Sequence, residues 1–354
     1  MKIIWRGNLF NPTGISTAYR ETVKALVKKG ITVQAADVWH SGFDFNNGLE
    51  YLNKPIDAKD VDFTIFADYP FFWRDAYGKT IAYWLHEGTR LPEGWTPLLN
   101  TADMILVPSQ ATKNLFRING VQRDIEIIPF GTNQDLYKPS DSKKSGTFIF
   151  LYINSWTGKV NDRKGCDLLI KAFDEEFKNE DVKLVLKIST FWDKKPKEYY
   201  AQAIKEILGH DNPNIVINAD YLPEEVLAEH YQKADCFCMP TRGESFGLTA
   251  INAMASGIPL IITRDNNSGY MDFCRGKDSV LYIDSNKMEQ ADRRFFAQGN
   301  LQPVPDSASL KKQMRYAFEH REELLMRAVI NSKEIRENWN WDKTAEKLLE
   351  VLKR

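Results

Sequence analysis

The stretch covering residues 234–259 constrains the fold of this chain more than any other part of the sequence. Residues 234–239 form an apolar run typical of a buried parallel strand, and apolar residues at helical spacing follow from Leu248. A glycine and a proline then end the helix. Because a tight polar loop joins strand and helix, the backbone N–H groups of residues 246–249 lie at a helix N-terminus, where the helix dipole attracts anions. The sequence therefore predicts a parallel α/β fold with an anion site at this loop.

Glu244 stands directly before this anion site. A carboxylate repels phosphate but accepts hydrogen bonds from sugar hydroxyls. The pairing favours a ligand that carries both groups, and a sugar nucleotide fits that description. The alternative is that Glu244 and Ser245 only cap the helix.

Strand–loop–helix units recur along the whole chain, which predicts parallel sheets. The length of 354 residues favours two domains, because single cores rarely exceed about 250–300 residues. A polar, lysine-rich stretch at 140–146 separates them, so we expect domains at 1–140 and 141–335 and a final segment at 336–354. The polar insert 287–307 has no assigned role.

The predicted strands are 2–6, 31–38, 61–66, 80–85, 102–107, 125–129, 148–154, 182–189, 215–218, 234–239 and 260–263, and helices are predicted at 310–318 and 321–351.

Composition excludes several functional classes. The net charge of −1 gives no overall attraction to nucleic acid or membrane. None of the four cysteines has CxxC spacing, and Cys236 and Cys238 share one strand face as small core residues, which argues against a disulfide scaffold or a zinc site. No apolar run reaches about 18 residues, and the first residues do not resemble a signal peptide. We therefore expect a soluble, cytoplasmic protein without stable membrane insertion.

Four further residues, in three parts of the chain, are candidates for a binding cleft. Arg163 and Lys164 directly precede a predicted helix, which makes a second anion-attracting corner. His86 follows the predicted strand 80–85, and the carboxyl ends of strands face the cleft in doubly wound sheets. Gly14 lies in the loop after the first strand, where a simple turn glycine is the alternative.

These motifs resemble the retaining glycosyltransferases of the GT-B fold that carry a Glu-x7-Glu signature, the family 4-like "glycosyl transferases group 1". The resemblance rests on Pro-Thr-Arg-Gly-Glu-Ser-Phe-Gly-Leu at 240–248, Arg-Lys-Gly at 163–165 and a linker at 130–139. Asn252 stands where the family has its second glutamate. The resemblance implies two Rossmann-like domains whose parallel sheets face each other across a cleft. It also implies a C-terminal helix at 336–354 that packs back on the N-terminal domain.

The resemblance also implies roles for individual residues. Lys164 and Arg163 would hold the donor diphosphate, Glu244 would orient the donor sugar, and His86 would contact that sugar from the opposite domain. Asn252 would bind the ribose less strongly than a glutamate. Further donor-binding positions are Gly14, Leu222, Ser245, Phe246, Gly247, Leu248 and Thr249.

The implied reaction is transfer of a sugar, with retention, from a nucleotide-diphosphate sugar to an acceptor, without metal or other cofactor. The acceptor remains open among a glycan, a lipid-linked compound, a small molecule and a nucleic acid. One rival is a catalytically decayed sugar-nucleotide or glycan-binding module of the same fold. Another is a phosphorylase or nucleotide-sugar epimerase.

Overall fold

A computed structural model describes residues 1–36, 49–140, 146–189, 194–291 and 298–354. Residues 37–48, 141–145, 190–193 and 292–297 lie outside the described residues. They include most of the polar stretch 140–146 and the middle of the predicted insert. Within the described residues, the strands form two six-stranded sheets and one two-stranded hairpin.

The first sheet is parallel, with the strand order β2-β1-β3-β4-β5-β6. Its strands are β1 (Lys2–Gly7), β2 (Thr32–Ala36), β3 (Phe63–Ala67), β4 (Lys79–Tyr83), β5 (Met104–Val107) and β6 (Ile125–Ile127). The helices of this half are α1 (Gly14–Lys28), α2 (Trp95–Leu99) and α3 (Gln110–Ile118). Ser109 begins α3 by accepting a hydrogen bond from the Thr112 N–H.

The second sheet is also parallel and has the order β12-β11-β10-β7-β8-β9. Its strands are β7 (Phe148–Ser155), β8 (Val182–Ser189), β9 (Ile215–Asn218), β10 (Cys236–Met239), β11 (Leu260–Thr263) and β12 (Val280–Ile283). The helices between them are α4 (Cys166–Glu176), α5 (Lys197–Leu208), α6 (Glu224–Lys233), α7 (Leu248–Ala255) and α8 (Met271–Cys274). The predicted parallel α/β architecture with two sheets is therefore confirmed.

Each buried strand contributes side chains to two layers of the core, because alternate side chains point to opposite faces of the sheet. On β7, Leu151 and Ile153 join one apolar cluster while Phe150 and Tyr152 join another. Cys236 and Cys238 are fully buried in the second cluster, as expected for small core residues.

The C-terminal segment contains three helices, α9 (Ser307–Glu319), α10 (Arg321–Asn338) and α11 (Trp341–Leu352). The prediction of one helix over 321–351 was wrong, since Asn340 is extended and its side chain accepts a hydrogen bond from the Lys343 N–H, which starts a new helix. The break turns α11 back onto α1, where Lys28 and Lys29 lie 3.1 Å from Asp342 and Glu346.

The predicted insert forms a hairpin of β13 (Lys287–Gln290) and β14 (Leu301–Val304). Its strands pair in antiparallel register, from Lys287 with Val304 to Gln290 with Leu301. Among the described residues, no helix combines the length and apolar character that crossing a membrane requires.

Candidate functional site

A cavity of about 440 Å³ lies between the two halves of the chain. Its walls combine the loop before α1 with the ends of β7 and β8 and the start of α7. Its lining includes these predicted donor-site residues: Gly14, Arg163, Lys164, Leu222, Glu244, Ser245, Phe246, Gly247, Leu248, Thr249 and Asn252. The structure therefore brings together motifs that are up to 238 positions apart, from Gly14 to Asn252.

Gly165 lets the two signature loops of the second half lie against each other. Its φ of +71° is in the left-handed region, and a β-carbon there would overlap with the carbonyl oxygen of Pro240. The Arg242 N–H then donates to the Arg163 carbonyl oxygen at 2.7 Å. This backbone contact fixes residues 163–165 beside residues 240–244.

An ion-pair network crosses the cavity. The Lys164 Nζ donates to the Glu244 Oε1. The Arg163 Nη1 lies 3.2 Å from the Glu87 Oε1, 2.8 Å from the Gly243 carbonyl oxygen and 3.8 Å from the Glu244 Oε1. Because Glu87 follows β4 while the other residues belong to the second half, the network joins the two halves.

The electrostatics of this network suit an anionic ligand. Burial, and next the charge of Arg163, lower the pKa of the Lys164 ammonium. Burial alone would raise the pKa of Glu87, but the charges of Arg163, Lys164 and His86 outweigh it and lower that pKa. Two carboxylates thus balance the two cations, and a diphosphate would replace those carboxylates as the partner of the cations.

The start of α7 faces the cavity without a side-chain cap. Gly247, with φ of +99°, is the residue at the N-cap, and it has no side chain that could bond to the first turn. The alternative in which Glu244 and Ser245 cap this helix is therefore not observed. Instead, the Ser109 hydroxyl of the first half donates to the Ser245 carbonyl oxygen at 2.7 Å, which holds the loop in place.

Asn252 lines the cavity from the second turn of α7. Its Oδ1 accepts a hydrogen bond of 2.8 Å from the Thr132 hydroxyl. Thr132 lies in the segment that joins the two halves, so the amide at this position already contributes to their contact.

His86 lies outside the described lining of the cavity. β4 ends at Tyr83, so His86 comes three residues after the strand rather than directly after it. The ring is buried and packs on Trp95 with centroids 5.2 Å apart, and burial lowers its pKa. The next residue, Glu87, is the one that lines the cavity.

The sequence did not predict roles for Glu87, Lys187 and Asn300. Glu87 and Lys187 line the cavity, and Asn300 contacts the loop that carries Glu87. Glu87 stands next to a predicted residue, so a wider reading of the same loop would find it. Lys187 is a charged residue between Leu186 and Ile188 in a predicted strand, which is a visible signal. Asn300 lies in the insert, where no sequence motif marks it.

The hairpin reaches back to the loop that carries His86 and Glu87. The Asn300 Oδ1 accepts hydrogen bonds from the Thr89 and Arg90 N–H groups at 2.5 and 2.9 Å, and its Nδ2 donates to the Glu87 carbonyl oxygen at 3.3 Å. Asn300 is buried, and the Leu301 N–H adds a bond of 2.9 Å to the Thr89 hydroxyl. The insert thus connects the second half to the cavity wall of the first.

Known proteins resemble part of this chain in sequence. Residues 133–295 match the family model described as "Glycosyl transferases group 1". D-inositol 3-phosphate glycosyltransferase of Corynebacterium diphtheriae is 24% identical over 210 residues, which are 53% of this chain and 48% of that protein. Mannosylfructose-phosphate synthase of Agrobacterium fabrum is 32% identical over 108 residues, 30% of this chain and 24% of that protein. The chain spans about half of the length of the first of these relatives.

Solved structures resemble the chain over its whole length. A sucrose-phosphate synthase from Thermosynechococcus elongatus superposes with a TM-score of 0.71 at 16% identity, covering 99% of this chain and 98% of that one. The Anabaena protein Alr3699/HepE in complex with UDP-glucose superposes with a TM-score of 0.72 at 16% identity, covering 100% of this chain and 99% of that one. These likenesses show the fold of two Rossmann-like units across a cleft. The chain has the GT-B fold, and its residues 133–295 match the model of the glycosyl transferases group 1 family.

Proposed function

We propose that this chain is a glycosyltransferase that moves a sugar from a nucleotide-diphosphate sugar, of the UDP type, to an acceptor. The observation that carries the proposal is the cluster of Arg163, Lys164 and Glu244 beside the uncapped start of α7 in one cavity. The Anabaena structure with UDP-glucose supports the choice of donor. The names of the relatives support sugar transfer as the reaction.

The proposed chemistry follows from the charge that develops on the donor. The bond between the anomeric carbon and the β-phosphate oxygen breaks, and its electron pair stays on the phosphate. Lys164, Arg163 and the N–H groups at the start of α7 stabilise that charge. The acceptor oxygen bonds to the same face of the anomeric carbon, which gives retention, and its proton passes to the leaving phosphate.

Glu244 has a second task in this scheme. Once the diphosphate binds Lys164, the carboxylate is released to accept hydrogen bonds from the sugar hydroxyls. This exchange needs no metal ion, because the two cations and the helix dipole supply the positive charge. His86 would reach the donor sugar only if the loop after β4 moved, since its ring now packs on Trp95.

A binding module without catalysis is the second candidate. Asn252 supports it, because an amide lacks the charge-assisted hydrogen bonds of the glutamate found in the family. The location of His86 outside the cavity lining also supports it. Turnover separates the two candidates, since a binding module would bind the donor without releasing nucleotide.

A thermal-shift screen with UDP-, GDP-, ADP- and dTDP-sugars in EDTA tests the proposal. Binding to the folded state raises the unfolding midpoint by mass action. We expect UDP-sugars to stabilise the wild type and Lys164→Ala to lose that shift. Lys205→Ala is the matched control, because its partner Asp211 is exposed and remote from the cavity lining.

A turnover assay completes the test. Wild type should release UDP from its donor in EDTA, and Glu244→Ala should bind the donor but release UDP at least tenfold more slowly. Binding without any release would support the binding module. No binding of any nucleotide sugar would overturn both candidates.

A further inference from the structure

Lys187 is a buried cation in the wall of the cavity. Only 7% of it is exposed, and it lines the same cavity as Lys164 and Glu244. On β8 it pairs with Ile153 of β7 on one side and Asn218 of β9 on the other. It therefore lies near the carboxyl end of the sheet, where the apolar core gives way to the cleft.

The ammonium of Lys187 has little to compensate its burial. Its Nζ donates one hydrogen bond of 3.0 Å, to the carbonyl oxygen of the next residue, Ile188. Among the described residues no carboxylate forms an ion pair with it, and Asp220 acts only through its more distant charge. Burial lowers its pKa to about 8. Because an ammonium has three donors, up to two remain for a ligand.

The sheet order places Lys187 on one side of the cavity. Lys187 pairs with Asn218 of β9, the edge strand, and Leu222 of the cavity lining follows β9 by four residues. Arg163 and Lys164 instead follow β7, and Glu244 follows β10. Because the strands lie in the order β10-β7-β8-β9, Lys187 lies on the side of the cavity that is farther from Glu244.

The position within the cavity identifies the part of the ligand. A diphosphate at Arg163, Lys164 and the start of α7 occupies the side of the cavity next to Glu244. Lys187 lines the cavity together with Leu222, which lies just before α6. The walls around them combine apolar and hydrogen-bonding groups, as is usual where a flat heterocycle binds.

We propose that Lys187 selects the nucleobase of the donor by donating hydrogen bonds to a carbonyl oxygen of the base. The inference rests on the proposed function, since it names the base of the same donor. Uracil offers two such carbonyls, and cytosine offers one and an amino group. Adenine offers none, and its amino group would meet an ammonium that cannot accept a hydrogen bond. Discrimination of this kind is strong because the wrong base leaves buried polar groups unpaired.

Calorimetric titration of the wild type and Lys187→Met with UDP, CDP and ADP tests the inference. Methionine keeps the length and apolar stem of lysine and removes only the donors. We expect the wild type to bind UDP roughly ten- to a hundredfold more tightly than ADP, as loss of hydrogen bonds to a charged donor implies. We expect Lys187→Met to lose most of that preference while its affinity for ADP changes less than about twofold.

The control variant is Lys183→Met on the same strand face, which is exposed and should bind all three nucleotides like the wild type. A preference for UDP over CDP that disappears in Lys187→Met assigns the contact to the position that differs between the two bases. An equal loss for UDP and CDP, with ADP unaffected, assigns it to the carbonyl that they share. Both outcomes support the inference.

Equal losses for all three nucleotides would show that Lys187 binds the phosphates, and this would overturn the inference. Unchanged affinities would overturn it as well. If the wild type binds none of the three nucleotides, the proposed function fails together with the inference. Retained ADP binding in Lys187→Met shows that the variant is folded, and removal of a buried charge should not destabilise it.

Discussion

Replacing Asn300 with alanine should detach the hairpin from the loop that carries Glu87. The wild-type side chain accepts hydrogen bonds from the Thr89 and Arg90 N–H groups and donates one to the Glu87 carbonyl oxygen. A net value of about 1 kcal/mol for each bond gives a total of about 3 kcal/mol. That free energy corresponds to roughly a hundredfold change in the local opening equilibrium.

Hydrogen exchange of the Thr89 and Arg90 amides measures this effect directly. In Asn300→Ala we expect both amides to exchange faster, by up to about a hundredfold, while amides within the first sheet stay protected. Asn300→Asp keeps the acceptor and loses the bond to the Glu87 carbonyl oxygen. The exchange rate of the two amides should therefore increase by about tenfold at most.

Glu289→Gln is the matched control on the same hairpin. Its carboxylate lies 3.8 Å from Arg242 and is half exposed, so its loss should cost less than about 1 kcal/mol. Unchanged exchange of Thr89 and Arg90 in Asn300→Ala would refute the reasoning. It would show that the loop keeps its position without the hairpin.

Three further predictions concern single residues of the cavity. Asn252→Glu should raise donor affinity or change the preferred nucleotide, because a carboxylate forms charge-assisted hydrogen bonds with ribose hydroxyls, and identical titrations for both proteins would contradict this. Gly165→Ala should lower the free energy of unfolding in urea by more than the roughly 1–2 kcal/mol of a left-handed alanine, because its β-carbon also overlaps with Pro240. Gly209→Ala, at φ of +80°, meets no neighbour and should cost only the free energy of the left-handed backbone. The pKa of Lys187 in the folded protein is about 8, below the ordinary 10.5. Between these two values the unfolded state binds more protons, so the stability of the wild type relative to Lys187→Met should rise as the pH rises from 8 to 10.5. A difference in urea midpoints that stays constant with pH would contradict this.

Local patterns were enough to predict much of the fold. The strands 182–189, 215–218 and 260–263 agree with β8, β9 and β11 to the residue. Apolar runs bounded by glycine, proline and polar residues determine such strands, whatever their neighbours in space. The break at Asn340 was missed because helical periodicity continues on both sides of it, and only the cap reveals it.

The cavity could be predicted where one motif carries several of its residues. Arg163 and Lys164, and the loop with Glu244, come together as the resemblance implies. Contacts between distant segments outside these motifs could not be predicted. Asn300 bonds to a loop about 210 positions away, and neither segment shows by itself that it meets the other.

The measurement that tests the central claim most directly is a crystal structure of the wild type with UDP. The account predicts diphosphate oxygens within hydrogen-bond distance of the Lys164 Nζ, the Arg163 guanidinium and the N–H groups at the start of α7. It also predicts that the Glu244 carboxylate has separated from Lys164 and faces the sugar side of the cavity. A nucleotide bound elsewhere, or a diphosphate that leaves the Lys164–Glu244 pair intact, would contradict the account.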